Sequence, residues 1–247
     1  MIKLERNFTP IILTPSFVEQ KTQEFKSKKN RVWDIPLLKK ALLELSSEKC
    51  AYCECNIMEE SKYMEVEHFE DKDRYPDKVL SWENLLPSCK RCNGIKSTHD
   101  VINEPIINPF INNPSEHLAF RLYNFSEKSM LGETTIETLD LNNMTRVVNK
   151  RFKVGQELIK LIARTLIFSE NYVNKKSTRN KNTLISTITD ILEQCLPYSQ
   201  YSATLSTILH SDKNYLKIKK IMQENSLWTE EINQLDIDSQ KIKLDIV

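Results

Sequence analysis

Two C-x-x-C pairs, Cys50-Ala-Tyr-Cys53 and Cys89-Lys-Arg-Cys92, constrain this chain more than any other feature of its sequence. Each pair sets two thiolates on one tight turn. Two such turns close a tetrahedral four-sulfur site of the kind that holds Zn²⁺. All four positions would then be protein thiolates, with none left for water, so the expected zinc is structural. The ligand pairs are separated by 35 residues, Glu54 to Ser88, more than a minimal zinc ribbon needs. Something is therefore inserted inside the frame. Of the two remaining cysteines, Cys55 is spare, and Cys195 falls on an apolar helical face as a core residue.

The opening stretch MIKLERNFTPIILTP lacks the long apolar core and small-residue cleavage site of a signal peptide, and no apolar run reaches the length of a membrane span. The expectation is a cytoplasmic protein with no membrane partner. In such a reducing compartment, clustered cysteines bind metal and do not pair as disulfides.

Three glycines against nine prolines speak against an all-β chain full of tight turns and for a helix-rich one. The net charge of +1 is too small for a dedicated nucleic-acid coat, but it averages two unlike segments. Residues 50–100 carry 11 acidic and 7 basic side chains, whereas 144–182 carry 10 basic and 2 acidic. One segment suits a cation and the other suits a polyanion.

Three regions follow from the patterning. Residues 1–47 form an N-terminal segment in which Asp34-Ile35-Pro36 opens a helix with Leu37, Leu38, Ala41, Leu42 and Leu45 on its apolar face. Residues 48–114 hold five cysteines and most of the polar chemistry, and close in a loop with prolines at 109 and 114. Residues 115–247 begin with short strands expected at His117–Phe125 and Thr134–Leu139. Helices then follow: one with Val154, Leu158, Leu161, Ile162 and Leu166 on one face, another with Leu184, Ile188, Ile191, Leu192 and Cys195, and a third over Tyr215–Asn225. Asn171–Asn182 reads as a basic loop between the first two. His117 is expected to be structural, His210 to lie at the surface, and Trp82 to pack against the zinc knuckle.

Between the knuckles the chain reads MEVEHFEDKDRYPDKVLSWENLLPSCKRCNGIKSTHD. Phosphodiester hydrolysis needs a base to activate water and a cation to offset charge on the phosphate and leaving oxygen. His68 suits the base, because an imidazole titrates near neutrality. Glu67 offers a hard oxygen for Mg²⁺ or Mn²⁺, and Asn93 offers a second through its amide carbonyl. Asn84 is expected to fix the His68 ring by a hydrogen bond. Val66 and Phe69 flank the pair as a strand would, so Glu67 and His68 point to opposite faces unless the strand ends or bulges there. Lys72 and Arg74 are candidates to grip phosphate.

The order Cys-x-x-Cys, Glu67-His68, Trp82-Glu-Asn84-Leu, Cys-x-x-Cys-Asn93-x-x-Lys96 resembles the HNH endonucleases, which have a ββα-metal core. The resemblance implies an α+β fold, with a small core carrying two zinc knuckles followed by a mainly helical region. It also implies that Glu67 and Asn93 hold the divalent ion, that His68 is the general base, that Asn84 orients it, and that Lys96 contacts phosphate. The phrases CAYCE, VEHF, YPD, WENLL, NPSEHLAF and TIETLDLN are similar to the HNH subunit of Septu-type and retron-associated anti-phage systems. Relatives carry proline where this chain has Asp71, while Lys72 keeps their lysine. The implied partners are nucleic acid, DNA before RNA, an ABC-type ATPase that gates the nuclease, and in a retron a reverse transcriptase with its DNA. Two other readings stay open. One is a non-catalytic zinc adaptor that binds nucleic acid. The other is a stand-alone restriction or homing nuclease, against which the chain shows no separate DNA-reading module.

Overall fold

The computed structural model describes residues 1–58 and 64–247. Among them the architecture is α+β, with small sheets and a long helical C-terminal part. The chain divides into two compact units: Met1–His117 with Glu127–Leu141, and Leu118–Ser126 with Asn142–Val247. The N-terminal segment thus belongs to the same unit as the knuckles.

In the first unit, α1 (Pro15–Lys28) starts where the Thr14 hydroxyl accepts from the Phe17 amide, and stops at Lys29 in the left-handed region. It buries only Thr22 and Phe25, so apolar periodicity does not reveal it. The expected second helix, α2 (Pro36–Ser46), has proline in its first turn and buries Leu38, Ala41 and Leu42. Leu37 stays exposed.

β1 (Met64–His68) pairs antiparallel with β2 (Leu85–Cys89), and α3 (Lys90–Lys96) follows β2 directly. The register sets Glu67 opposite Leu86 and His68 opposite Leu85. Cys89 ends the strand and also caps α3, its sulfur accepting from the Cys92 amide. The first knuckle is sewn to β2 because Ala51 N donates to Pro87 O at 2.9 Å. This is the ββα order that the motif implies. Both α2 and α3 pack on the two-stranded sheet.

The unit closes with α4 (Pro114–His117) and α5 (Met130–Thr138). The strand expected at Thr134–Leu139, where four β-branched residues sit close together, does not form; a helix takes its place. Ser129 caps it by accepting from Gly132 N, and buried Thr135 returns its hydroxyl to Leu131 O at 2.6 Å. Local capping overrides strand propensity here. His117 is structural, its Nδ1 2.9 Å from Ser129 Oγ.

The second unit contains β3 (Leu118–Arg121), β4 (Asn124–Glu127) and β5 (Asp245–Ile246), in the order β4-β3-β5 with β5 parallel to β3. Leu122 and Tyr123 join β3 to β4, both with positive φ, a geometry usually given to Asn-Gly. Five helices follow: α6 (Asn149–Asn174), α7 (Thr178–Gln194), α8 (Ser202–Ser211), α9 (Lys213–Glu224) and α10 (Glu230–Gln240). The loop expected over Asn171–Asn182 shrinks to residues 175–177, because Ser177 caps α7 through Asn180 N. The buried stripe of α6 is Arg151, Gly155, Leu158, Ile162, Thr165 and Ser169, more polar than its leucines suggest. Among the described residues no helix is long and apolar enough to cross a membrane.

His210, expected at the surface, lies instead in a buried polar network. Its Nε2 is 2.9 Å from Ser239 Oγ and its Nδ1 is 3.9 Å from Asp236 Oδ1. Asp236 also accepts from Tyr215 and pairs with Lys219 at 2.6 Å. The helical pattern around His210 carries no sign of partners from α9 and α10.

Candidate metal centre and adjoining cavity

The ligand sulfurs of Cys50, Cys53, Cys89 and Cys92 all lie within 4.8 Å of one another. Cys53 and Cys89 are 3.8 Å apart. A tetrahedron with metal–sulfur bonds of about 2.3 Å has sulfur–sulfur edges of roughly 3.8 Å, so the cluster fits zinc. Burial would push the Cys50 thiol up, yet hydrogen bonds from Cys53, Cys55, Cys89 and Cys92 hold it well below the ordinary thiol range. Such crowding of thiols is relieved when a cation replaces their protons. Cys55 lies against the same cluster, in hydrogen-bonding reach of Cys50, Cys53 and Cys89.

Beside the cluster is a cavity of about 160 Å³ that receives Glu65, Glu67 and His68 from β1, Asn93 from α3, and Asp71 and Lys72 from the segment after β1. The volume suits a hydrated cation and one phosphate group.

His68 is buried and held from two sides. Its Nε2 is 3.0 Å from Val79 O, so Nε2 carries the proton and donates, which leaves the Nδ1 lone pair available. The Trp33 indole stands edge-on to the imidazole with ring centroids 4.7 Å apart. Burial pulls the His68 pKa down to about 4. The ring is therefore neutral at physiological pH, the form a general base requires.

Glu67, the residue before His68 on β1, lines the same cavity. Its Oε1 is 2.7 Å from Lys96 Nζ, and the pair is almost wholly buried. The same ammonium donates to His68 O at 3.0 Å. Burial pushes the Glu67 carboxyl up to about 7, with Lys96 pulling the other way. Lys96 is therefore not a surface phosphate contact. One helical turn brings it inward onto the strand, where it neutralises Glu67 and ties α3 to the β1 backbone.

Asn93 and Asn84 also find partners that the motif does not imply. Asn93 Nδ2 donates to Glu65 Oε2 at 2.6 Å. Asn84 does not bond the His68 ring. Its Oδ1 accepts from Glu70 N at 2.7 Å, and its Nδ2 donates to the carbonyls of Glu70 and Lys78 at 3.0 and 3.1 Å. It pins the residue before Val79, whose carbonyl holds the imidazole. Its influence on the imidazole thus passes through the backbone.

Lys72 lines the cavity, with Nζ 5.8 Å from the Trp33 ring. Arg74 pairs with Asp100 and is not among the residues lining the cavity. His99 is engaged with Glu104, its Nε2 2.7 Å from the Glu104 carbonyl. Trp82 packs on the N-terminal segment, with Nε1 donating to Phe8 O at 2.8 Å. Four cavity residues escape sequence reasoning: Arg31, Trp33, Glu65 and Ser97. Strand alternation could have found Glu65, which shares a face with Glu67. Arg31 and Trp33 precede the zinc frame and reach the cavity only by tertiary packing.

Residues 50–99 match the family described as HNH endonuclease. A Septu protein PtuB from Bacillus thuringiensis is 44% identical over 237 residues, covering 95% of this chain and 92% of that protein. A Septu protein PtuB from Bacillus mycoides (strain KBAB4) is 30% identical over 157 residues, covering 49% of this chain and 52% of that protein. No solved structure matches this chain.

Proposed function

The chain belongs to the Septu PtuB family, and on that premise we propose that it is a divalent-metal-dependent nuclease acting in anti-phage defence. The observation that carries this reading is one small cavity that receives Glu67 and His68 from adjacent positions of β1 and Asn93 from α3, next to a four-cysteine cluster.

In this reading His68 Nδ1 accepts a proton from the attacking water, while Val79 and Trp33 hold the ring. Glu67 and Asn93 supply hard oxygens for Mg²⁺ or Mn²⁺, which offsets charge on the phosphate and the leaving oxygen when bound. Asn84 keeps the Lys78–Val79 backbone in place. Lys72 lies where it can meet a phosphate oxygen. The four thiolates hold a structural zinc that fixes β2 and α3 relative to the first knuckle.

The partner is an ABC-type ATPase that restrains the nuclease until it is needed, and residues 115–247 supply the docking surface. The substrate is nucleic acid, DNA before RNA. The test is cleavage of supercoiled plasmid and of RNA by the chain co-expressed with its ATPase, with and without divalent cation. Metal-dependent cleavage that disappears in His68→Ala supports the reading. Nucleic-acid binding with no cleavage of either substrate would make the chain a zinc adaptor.

A further inference from the structure

Glu67 and Asn93 alone make a poor cation site, because Lys96 is already there. Its ammonium sits 2.7 Å from Glu67 Oε1, with both side chains almost wholly buried. Glu67, Lys96 and neutral Asn93 together present no net negative charge to a divalent ion. A hard dication in a partly desolvated cavity needs anionic oxygens in excess of nearby cations. Of the two other carboxylates lining the cavity, Asp71 turns Oδ1 to the Asp73 and Arg74 amides at 3.1 Å, which leaves Glu65 to supply an anionic oxygen beside Asn93. Glu65 lies two residues before Glu67, on the same face of β1. It lines the same cavity. Its Oε2 is 2.6 Å from Asn93 Nδ2, so it touches the other expected ligand directly. No Lys, Arg or His pairs with it among the described residues.

The spacing explains why both acids meet α3. Glu65 and Glu67 are one strand repeat apart, and Asn93 and Lys96 are three positions apart on the helix. The outer pair of side chains, Glu65 with Asn93, lines the cavity, and so does Glu67, whose partner Lys96 is buried behind it. Because Asn93 gives its NH₂ to Glu65, its amide oxygen is left to accept a cation.

We infer that Glu65 is a further protein ligand of the catalytic cation, supplying with Asn93 the anionic oxygen that the Glu67–Lys96 pair cannot. The inference rests on the nuclease reading above. It gives Lys96 a role of its own, that of a fixed counter-ion keeping Glu67 charged and aligned, and it moves the principal anionic ligand two residues upstream of the motif's acid.

The experiment measures Mn²⁺ binding to the full-length, zinc-loaded protein by electron paramagnetic resonance and calorimetry, without substrate. Wild type is compared with Glu65→Gln, Glu65→Asp, Glu67→Gln and Asn93→Ala, and zinc content and circular dichroism establish folding. The expected result is a loss of at least tenfold in Mn²⁺ affinity for Glu65→Gln, with a smaller loss for Glu65→Asp, which keeps the charge on a shorter arm. Wild-type affinity in Glu65→Gln, alongside weakened binding in Glu67→Gln or Asn93→Ala, overturns the inference and leaves the nuclease reading standing. Unweakened binding in every variant overturns both. If Glu65→Gln fails to fold, Glu65→Asp decides by the same comparison.

Discussion

The indole of Trp33 stands edge-on against the imidazole of His68, with centroids 4.7 Å apart at an interplanar angle of 81°. A residue from the N-terminal segment thus forms one wall of the site that β1 and α3 build. The indole packs against the ring whose Nε2 Val79 O holds. Trp33→Ala opens a cavity beside the base and should cost about 3–5 kcal/mol of stability. Cleavage should fall by about tenfold or more even at temperatures where the variant is folded, because the ring gains freedom. Trp33→Phe should recover most of both. Equal rates for folded Trp33→Ala and wild type would reduce the indole to packing.

His68 and Glu67 titrate in opposite senses, which fixes the pH profile of cleavage. The His68 pKa is lowered to about 4, so the base is already neutral above that pH. The Glu67 carboxyl is raised to about 7, so below that pH it increasingly holds a proton that competes with the cation. The acid limb of the rate profile should therefore lie near neutrality and move to lower pH as Mg²⁺ rises, since metal binding releases that proton. A limb that ignores metal concentration would point to the base instead. His68→Ala should abolish cleavage with zinc content and folding unchanged, and no excess of metal should rescue it.

Much of this site is legible in the sequence because its logic is local. Paired knuckles, Glu67-His68 and Asn93 are set by spacing along a strand and a short helix, and the ββα order is what their resemblance to the HNH endonucleases implies. What spacing does not encode is where long side chains end. Lys96 reads as a phosphate contact because it is a lysine on the core helix, but its four-carbon stem turns inward to Glu67. Asn84 reads as a ring partner because it is an amide near a histidine, yet it binds Glu70 and Lys78 backbone. Trp33 and Arg31 carry no motif at all. The strand expected at Thr134–Leu139 fails for a different reason: a serine cap outweighs β-branched residues.

The buried Lys96–Glu67 pair makes a prediction that separates its two roles. Lys96→Met leaves a carboxylate buried without its cation, which should cost about 3–5 kcal/mol. A surface phosphate contact would instead weaken nucleic-acid binding and lower its salt slope by about one, with little change in melting. The expected outcome is a large fall in thermal midpoint. The double variant Lys96→Met, Glu67→Gln should regain part of it, because the orphaned charge is gone. A melting curve unchanged in Lys96→Met would contradict the buried pair.

The four thiolates should bind one zinc per chain. Cys53→Ser should lose the metal and lower the midpoint, since a closed thiolate site contributes directly to folding free energy. Cys55→Ser should keep the zinc, because the other four sulfurs already form the tetrahedron. Elemental analysis that finds no zinc in wild type, with Cys53→Ser melting normally, would remove the metal from the fold.

The basic stretch over 144–182 admits two uses, gripping substrate or docking the proposed ATPase, and exposure selects the variants that separate them. Arg151 is buried, with its guanidinium 4.1 Å from the Phe125 ring, so neutralising it would test stability and not binding. Lys150, Lys153, Lys175 and Lys176 reach solvent and can be changed together to glutamine. If they grip phosphate, nucleic-acid affinity should fall and the slope of log affinity against log salt should flatten by about 0.9 for each phosphate no longer neutralised, with the ATPase complex intact. Should the quadruple variant bind nucleic acid like wild type but fail to co-purify with the ATPase, the stretch is a docking surface. The expected result is the first, because nine exposed cations against two anions on residues 144–182 suit a polyanion better than a folded protein face of mixed charge.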